Sequence, residues 1–355
     1  MNNAIFTAAD ILLPPYPEKD GRWTSWGVIA CDQFTSEIEY WDDAEKIAGD
    51  MSALSLILPE AYLSTEMQKK HEKRIAESMK TLPDRLAEHK NIMVYLERTL
   101  PDGKIRHGIV GKIDLKEYDY GKDSKSGVRA TEETVVERIP PREAVRSAAT
   151  VELPHVMLLI DDTDGIFSYL ASVKPSLRKL YDFDLMLGGG HATGYEVSGS
   201  VLEKLNSMIS GYEASKNAGD VIYAIGDGNH SLAAAKSHYE HIKDSVPECH
   251  PARWALAEVV SIGDPALEFE PIYRLVTPDD TENFISELSR ITDEGPGEQP
   301  VTVLSGKDQR TVHFKNPDHA LTVGTLQNFI DRYIKAHPVT ACDYIHDEAS
   351  LISLA

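Results

Sequence analysis

The stretch Val221-Ile222-Tyr223-Ala224-Ile225-Gly226-Asp227-Gly228-Asn229-His230-Ser231, followed by Leu232-Ala233-Ala234-Ala235-Lys236, decides how this chain is read. An apolar run of strand length enters a turn with two glycines and leaves it as an alanine-rich segment. The pattern predicts a buried strand over 221–225, a tight turn, and a helix from about Asn229 to Lys243. Gly226 and Gly228 permit a positive φ and close backbone approach. The first N–H groups of a helix lack internal partners, and its dipole is positive there, so a phosphate suits the position. Asn229, His230 and Ser231 add donors, while Asp227 is placed to orient His230, hold a cation or cap the helix. The same residues also describe an ordinary capped helix, since Asp and Asn cap many helices and Gly makes many turns. The Gly-x-x-x-x-Gly-Lys-Ser/Thr spacing of a Walker A loop is missing, and so is the Rossmann fingerprint.

Around this unit the chain alternates helical and extended patterns. Asp10–Tyr16 reads as a strand halted by Pro14 and Pro15, and Val28–Cys31 as a second buried strand. Helices are predicted over Ile38–Asp50 and Ser64–Lys80. Asn91–Thr99 and Lys104–Leu115 form a hairpin around Pro101-Asp102-Gly103. Tyr118–Val128 is polar and reads as an exposed loop. Val156–Ile160 is a buried strand, and Gly165–Leu180 a helix interrupted by Pro175. Val197, Val201, Leu202, Leu205, Met208, Ile209 and Tyr212 share one helical face. Arg253–Ser261 and Pro271–Leu275 are strands, Thr281–Ile291 and Thr325–Lys335 helices, and Val301–Leu304 with Thr311–Phe314 a hairpin. No repeat or low-complexity tract is present. The class is mixed α/β (α+β), with a boundary near Pro271 separating a body, 1–270, from a C-terminal lobe, 271–355.

Composition narrows the function. The 355 residues carry 36 Lys and Arg against 57 Asp and Glu, a net charge of −21. That field repels nucleic acid and anionic lipid, and no basic run overrides it. Cys31, Cys249 and Cys342 are far apart and odd in number, which argues against a disulfide framework and a structural zinc site. No stretch approaches 18 apolar residues, and the first ten residues do not form a signal peptide. A cytoplasmic protein with no membrane or nucleic-acid partner is expected, and a homo-oligomer is left open.

Other segments carry candidate chemistry, each with a plainer alternative. Thr35 or Ser36 with Glu39 makes a capping box, or Asp32 or Glu37 serves as a general base. Asp161-Asp162 ends a strand, where it holds Mg²⁺ or starts the turn Asp162-Thr163-Asp164-Gly165. Gly188-Gly189-Gly190-His191 lets a ligand approach His191 or is a flexible loop. His155 is a ligand group or a partly buried structural histidine. Cys31 beside Asp32 is a nucleophile or a buried thiol.

Taken together, several segments resemble a known family. They are Leu13-Pro14-Pro15-Tyr16, Ala30-Cys31-Asp32-Gln33-Phe34-Thr35-Ser36, Glu152-Leu153-Pro154-His155, Asp227-Gly228-Asn229-His230, Pro271-Ile272-Tyr273-Arg274 and Asp343-Tyr344-Ile345-His346. In this order they resemble the domain of unknown function family 1015, whose corresponding turn reads Asp-Gly-His-His-Arg. That family is similar to the ParB/sulfiredoxin superfold, which includes free-serine kinases with an Asp-Gly-His-Thr-Arg phosphate segment. The resemblance implies a ParB/sulfiredoxin-like core with additional N- and C-terminal α/β elements. It implies binding of ADP or ATP with Mg²⁺, and phosphoryl transfer to a serine-like or polyol substrate. The implied catalytic residues are Asp227, His230, Glu37 and Asp32. Gly228, Asn229, Ser231, Arg142 and Arg146 are the implied phosphate or nucleotide ligands, and Tyr16, Gln33, His155 and His191 the substrate contacts. Ser231 stands where most relatives have Arg, which removes a bidentate phosphate clamp unless Arg142 or Arg146 reaches in. The alternative is a nucleotide or metabolite sensor without turnover.

Overall fold

A computed structural model describes residues 4–30, 38–62, 65–121, 124–130, 134, 136, 139–153, 156–267, 272–295, 297–306, 308–345, 348 and 351–352. The chain divides into two compact units, Met1–Leu267 and Glu268–Ala355. Pro271, the expected boundary, lies outside the described residues.

In the first unit the strands are β1 (Phe6–Thr7), β2 (Ala9–Leu13), β3 (Ala87–Thr99), β4 (Ile105–Asp114), β5 (Val128–Ala130), β6 (Val156–Ile160), β7 (Arg178–Asp184), β8 (His191–Val197), β9 (Tyr223–Asp227) and β10 (Trp254–Ser261). Its α-helices are α1 (Arg22–Trp26), α2 (Ile38–Ile47), α3 (Gln68–Thr81), α4 (Ile139–Ser147), α5 (Ile166–Val173), α6 (Gly199–Ser215) and α7 (Asn229–Ile242). Among the described residues the ten strands form one mixed sheet in the order β5-β9-β6-β10-β4-β3-β8-β7. β1 adds to β4 and β2 to β3. The pairs β5–β9 and β6–β10 are parallel, and the others are antiparallel. The mixed α/β class expected from the sequence is what the chain adopts.

Alternation along the strands builds the core. Met93 and Tyr95 of β3, Ile109 and Ile113 of β4, and Ala255, Ala257 and Val259 of β10 share one face. Leu158 and Ile160 of β6 and Tyr223 and Ile225 of β9 extend it. Against that face lie Leu170 of α5, Leu202, Leu205, Ile209 and Tyr212 of α6, and Leu232, Ala235 and Tyr239 of α7. Their three- and four-residue spacings are the helical counterpart of the strand alternation. The intervening residues Ile92, Val94 and Val110 form a smaller cluster with Ala9, Ile11 and Leu180.

The hairpin β3–β4 admits a third strand. β4 pairs with β3 through Ile105 and with β1 through Ile113. The first strands are held from outside the sheet by Glu213 of α6. Its carboxylate accepts the N–H groups of Ile5 and Phe6 at 2.9–3.1 Å and the Tyr223 hydroxyl at 2.8 Å. Burial raises the Glu213 carboxyl above the usual carboxylate range, against the lowering effect of those donors.

Several segments depart from the sequence reading. Val28–Ala30 form no strand; Cys31 lies outside the described residues. Val28 packs beside Trp41 and Ala44, and the Ile29 carbonyl accepts the Tyr40 hydroxyl at 2.7 Å. This apolar run is therefore satisfied by helices rather than by a ladder. The helix after Gly165 ends at Val173, and Pro175 opens a single 3₁₀ turn. The chain then enters β7, whose Phe183 stacks on Trp23 while Tyr181 packs tilted against it. Val197 closes β8 rather than opening α6. Strand β9 starts two residues later than expected and runs through Asp227.

The second unit contains β11 (Tyr273–Thr277), α8 (Thr281–Ile291), β12 (Thr292–Glu294), β13 (Pro300–Ser305), β14 (Asp308–Phe314), α9 (Thr322–Ala336) and β15 (Ala341–Ile345). β11 pairs with β15, and β12-β14-β13 form a second sheet. Phe284, Leu288, Phe314, Phe329, Ile330 and Tyr333 are its core.

The turn between β7 and β8 depends on Gly190, which has φ 85°. A Cβ there would stand 2.1 Å from the Thr99 carbonyl oxygen. Gly190→Ala is expected to destabilise the chain by about 3 kcal/mol, combining left-handed strain with a backbone clash. The urea unfolding midpoint measures it, and a midpoint equal to that of the parent chain would contradict this packing.

Candidate functional site

Two strands of the first unit, β6 and β9, are antiparallel neighbours and each runs into a helix, so the two turns lie at opposite strand-end edges of the sheet. Each has a left-handed glycine immediately before its helix: Gly165 (φ 69°, ψ 35°) before α5 and Gly228 (φ 79°, ψ 24°) before α7. Both helices thus begin by the same backbone device. They differ in what meets their first N–H groups.

At α5 the chain supplies its own anion. Asp162, itself at φ 45°, accepts the N–H of Ile166 at 2.7 Å and that of Phe167 at 3.3 Å. Its neighbour Asp161 pairs with Lys216 at 2.6 Å. The turn alternative therefore accounts for both carboxylates. Among the described residues no group of three or more His, Cys, Asp or Glu is arranged to hold a metal ion.

At α7 the Gly228 position provides no side-chain cap. Asp227 accepts the N–H of Gly228 at 2.7 Å, a group that precedes the helix. Asn229, the first helical residue, is 6% exposed. Its Oδ1 accepts the hydroxyls of Thr134 at 3.2 Å and Tyr118 at 3.4 Å. Its Nδ2 is buried with no hydrogen-bond partner. A buried amide donor left unpaired costs about 1–3 kcal/mol. The start of α7 is thus an electropositive helix end with an extra donor that has no partner among the described residues. Helix N-termini in general favour an anion over their first N–H groups.

Helix α4 flanks this helix. Ile139 packs on Ala233 and Ala234. Glu143 accepts the Ser237 hydroxyl at 2.7 Å and meets His241 Nδ1 at 2.6 Å. Arg146 on the same helix is committed elsewhere. It is paired with Glu152 and donates to the Trp254 carbonyl at 3.3 Å. Glu152 in turn accepts the N–H of Leu256. Burial lowers the Arg146 guanidinium to about 10, still charged at neutral pH. Arg142 stands one turn earlier on α4.

The expected constellation divides. Asp227, Gly228, Asn229, His230 and Ser231 are together by chain continuity, with Arg142 on the adjacent helix. His191 and Tyr16 belong to the other end of the sheet. β8 is five strand steps from β9 in the sheet order, about 24 Å along the sheet. His191 is held there between two carboxylates, Nδ1 on Asp184 and Nε2 on Asp182, both at 2.7 Å. Tyr16 lines a cleft of about 350 Å³ with Leu13, Trp23, His89, Arg178 and Leu180. Its ring packs edge-on to Trp23 and under Arg22. Asp32, Gln33, Glu37 and His155 lie outside the described residues. Two residues that sequence reasoning missed, Tyr118 and Thr134, reach the site from the polar stretches before and after β5. The only hint was an aromatic residue opening a segment otherwise read as solvent-exposed.

Similarity comes from one source. A family model described as "Protein of unknown function (DUF1015)" matches residues 15–333, and the chain belongs to that family. No curated protein and no solved structure matches the chain. Among the described residues no helix is long and apolar enough to cross a membrane.

Two stability measurements check this geometry. Asp162→Ala removes the α5 cap and is expected to cost about 1–2 kcal/mol in urea unfolding; an unchanged midpoint would contradict the cap. His191 makes the second. Burial opposes its charge, but the hydrogen bonds to Asp184 and Asp182 prevail and raise its pKa above about 6.5. The stabilisation it gives is therefore fully present below about pH 6.5 and is lost as pH rises through the raised folded value. His191→Gln is expected to flatten the melting temperature between pH 6 and 9, and an unaltered pH profile would rule the pairing out.

Proposed function

We propose that this DUF1015 chain is a nucleotide-dependent phosphotransferase that passes a phosphoryl group to the hydroxyl of a small serine-like or polyol metabolite in the cytoplasm. The supporting observation is the Asn229 amide at the first turn of α7, which has no partner among the described residues, in a helix whose N-cap residue, Gly228, brings no capping side chain. In this reading the N–H groups of α7 and Asn229 Nδ2 hold phosphate oxygens, and His230 bears on the transferred charge. The base that takes the hydroxyl proton is Asp32 or Glu37, assigned by the family resemblance alone. The ParB/sulfiredoxin likeness of the core is part of the same proposal.

The donor set fits a nucleotide at its phosphates. It does not contain a prebuilt Mg²⁺ cage among the described residues. Mg²⁺ is normally held by one or two carboxylates together with substrate phosphates. Asp227 is the carboxylate at the turn that meets this need, and the ion would neutralise charge on the transferred group.

A second reading, a nucleotide or metabolite sensor without turnover, is favoured by one observation. Ser231 replaces the family arginine, and Arg146 is occupied by Glu152 and the Trp254 carbonyl. Calorimetric titration of the purified chain with ADP and ATP in Mg²⁺ tests binding. ATP consumption in the presence of serine, threonine or glycerol tests transfer. A phosphotransferase weakened by the lost clamp is expected to gain on the order of tenfold in turnover on Ser231→Arg. A sensor gains none. Absence of binding for both nucleotides removes the phosphotransferase and the nucleotide-sensor readings.

A further inference from the structure

We infer that Asp227-Gly228 is a site of spontaneous backbone modification, where the Asp227 carboxyl condenses with the Gly228 nitrogen and reopens as an isoaspartyl linkage. The fold singles this pair out from the other Asp-Gly pairs of the chain, and the inference does not rest on the phosphate reading of α7.

The reaction joins the carboxyl carbon of an aspartic acid to the backbone nitrogen of the next residue. The N–Cγ bond forms, the Cγ–OH bond breaks, and the hydroxyl leaves with the amide proton as water. The product is a five-membered succinimide. Water then adds back at one of its two carbonyls. Opening at Cγ restores aspartate. Opening at the former main-chain carbonyl routes the chain through Cβ and Cγ and leaves the other carboxylate as the side group. Water leaves and water returns, so no further reactant is consumed. Glycine favours the step because no side chain hinders its nitrogen.

Four such pairs occur in the sequence: Asp20-Gly21, Asp102-Gly103, Asp164-Gly165 and Asp227-Gly228. In three of them a reacting group is engaged elsewhere. Asp20 turns to Arg22 and accepts its N–H and guanidinium at 2.8–2.9 Å. Those bonds lower the Asp20 carboxyl to about 2, so the neutral acid that reacts is scarce. Asp102 accepts the N–H of Lys104 at 3.0 Å, and the Gly103 N–H is committed to the Leu100 carbonyl at 2.9 Å. The Gly165 N–H is committed to the Asp162 carbonyl at 3.1 Å. At the fourth pair the two groups meet, for the Gly228 N–H donates to Asp227 Oδ1 at 2.7 Å. Gly228 lies between β9 and α7, and among the described residues its nitrogen enters no backbone hydrogen bond. Rotation of the carboxyl about its own axis turns the carbon to that nitrogen. Asp227 is exposed, so water can leave and return. The isoaspartyl form carries one extra carbon in the main chain directly ahead of α7 and displaces the Asp227 carboxylate.

The experiment is prolonged incubation of the full chain at physiological temperature and neutral pH, with a parallel sample held unfolded in urea. Both are digested, and isoaspartate in each Asp-Gly peptide is quantified by enzymatic methylation and by chromatographic separation of the isomers. In the folded chain the peptide holding Asp227-Gly228 is expected to accumulate several-fold more isoaspartate than any of the other three. In urea the four are expected to draw level. Asp227→Glu keeps a carboxylate but must close a six-membered ring, and it is expected to remove the signal of that peptide. A folded chain in which another pair leads, or in which all four accumulate equally, overturns the inference. A lead of Asp227-Gly228 that persists unchanged in urea assigns it to local sequence and overturns the role of the fold. A signal that survives in Asp227→Glu comes from elsewhere in the peptide and overturns the site.

Discussion

A buried hydrogen-bonding group must find a partner, and this constraint organises the first unit more than any single apolar contact. Leaving such a group unpaired costs about 1–3 kcal/mol, comparable to burying a whole leucine side chain. Among the described residues the chain meets the demand from within at most positions. Asp162 meets it at α5, and Glu213 at the N–H groups of Ile5 and Phe6. Among the described residues, Thr7 Oγ1, Arg74 Nε, Arg129 Nε and Asn229 Nδ2 are buried without a hydrogen-bond partner, the last of them at the start of α7. Two helices are introduced by the same left-handed glycine, and the first turn of one of them is closed by Asp162.

How much of this was legible in the sequence depends on the range of the interaction. The 91–115 hairpin was readable because Pro101-Asp102-Gly103 encodes its turn locally. Helix α8 was readable from its apolar spacing, and Asp280 caps it on the Asn283 N–H. The Asp227 turn was readable for the same local reason. Strand β7 was not, because Pro175 explains a helix break but does not specify the element beyond it. Its identity comes from pairing with β8 and from Trp23, more than 150 residues away. Tyr118 and Thr134 were invisible for a stronger version of that reason. A hydroxyl in a polar segment carries no local sign that it will be buried against a residue some hundred positions later.

The same distinction separates the expected site residues. Those joined by chain continuity, Asp227 to Ser231, stay together in any fold that keeps the strand and helix. Those gathered by motif alone depend on sheet order, and sheet order sent His191 and Tyr16 to the far side of β3. Gly188-Gly189-Gly190 illustrates how a glycine run misleads. Gly190 serves the close passage of one backbone over another at Thr99, whereas a Cβ at Gly188 would meet nothing within 4 Å. Arg146 likewise looks like a spare cation in sequence and is, in the fold, the tie between α4, Glu152 and β10.

The carboxylate of Glu213 bears on how the chain is made. It joins residues 208 positions apart, between the first strand of the sheet and α6. Contacts of such separation slow folding, since loop closure precedes any gain. At ordinary synthesis rates of about 5–20 residues per second, roughly 10–40 s separate the emergence of Ile5 from that of Glu213. During that interval the first strands have no clamp, and the hairpin that receives them has an open seam. Assembly of the first unit is therefore a late event in synthesis, and it waits further for β10, which pairs with β4 and β6.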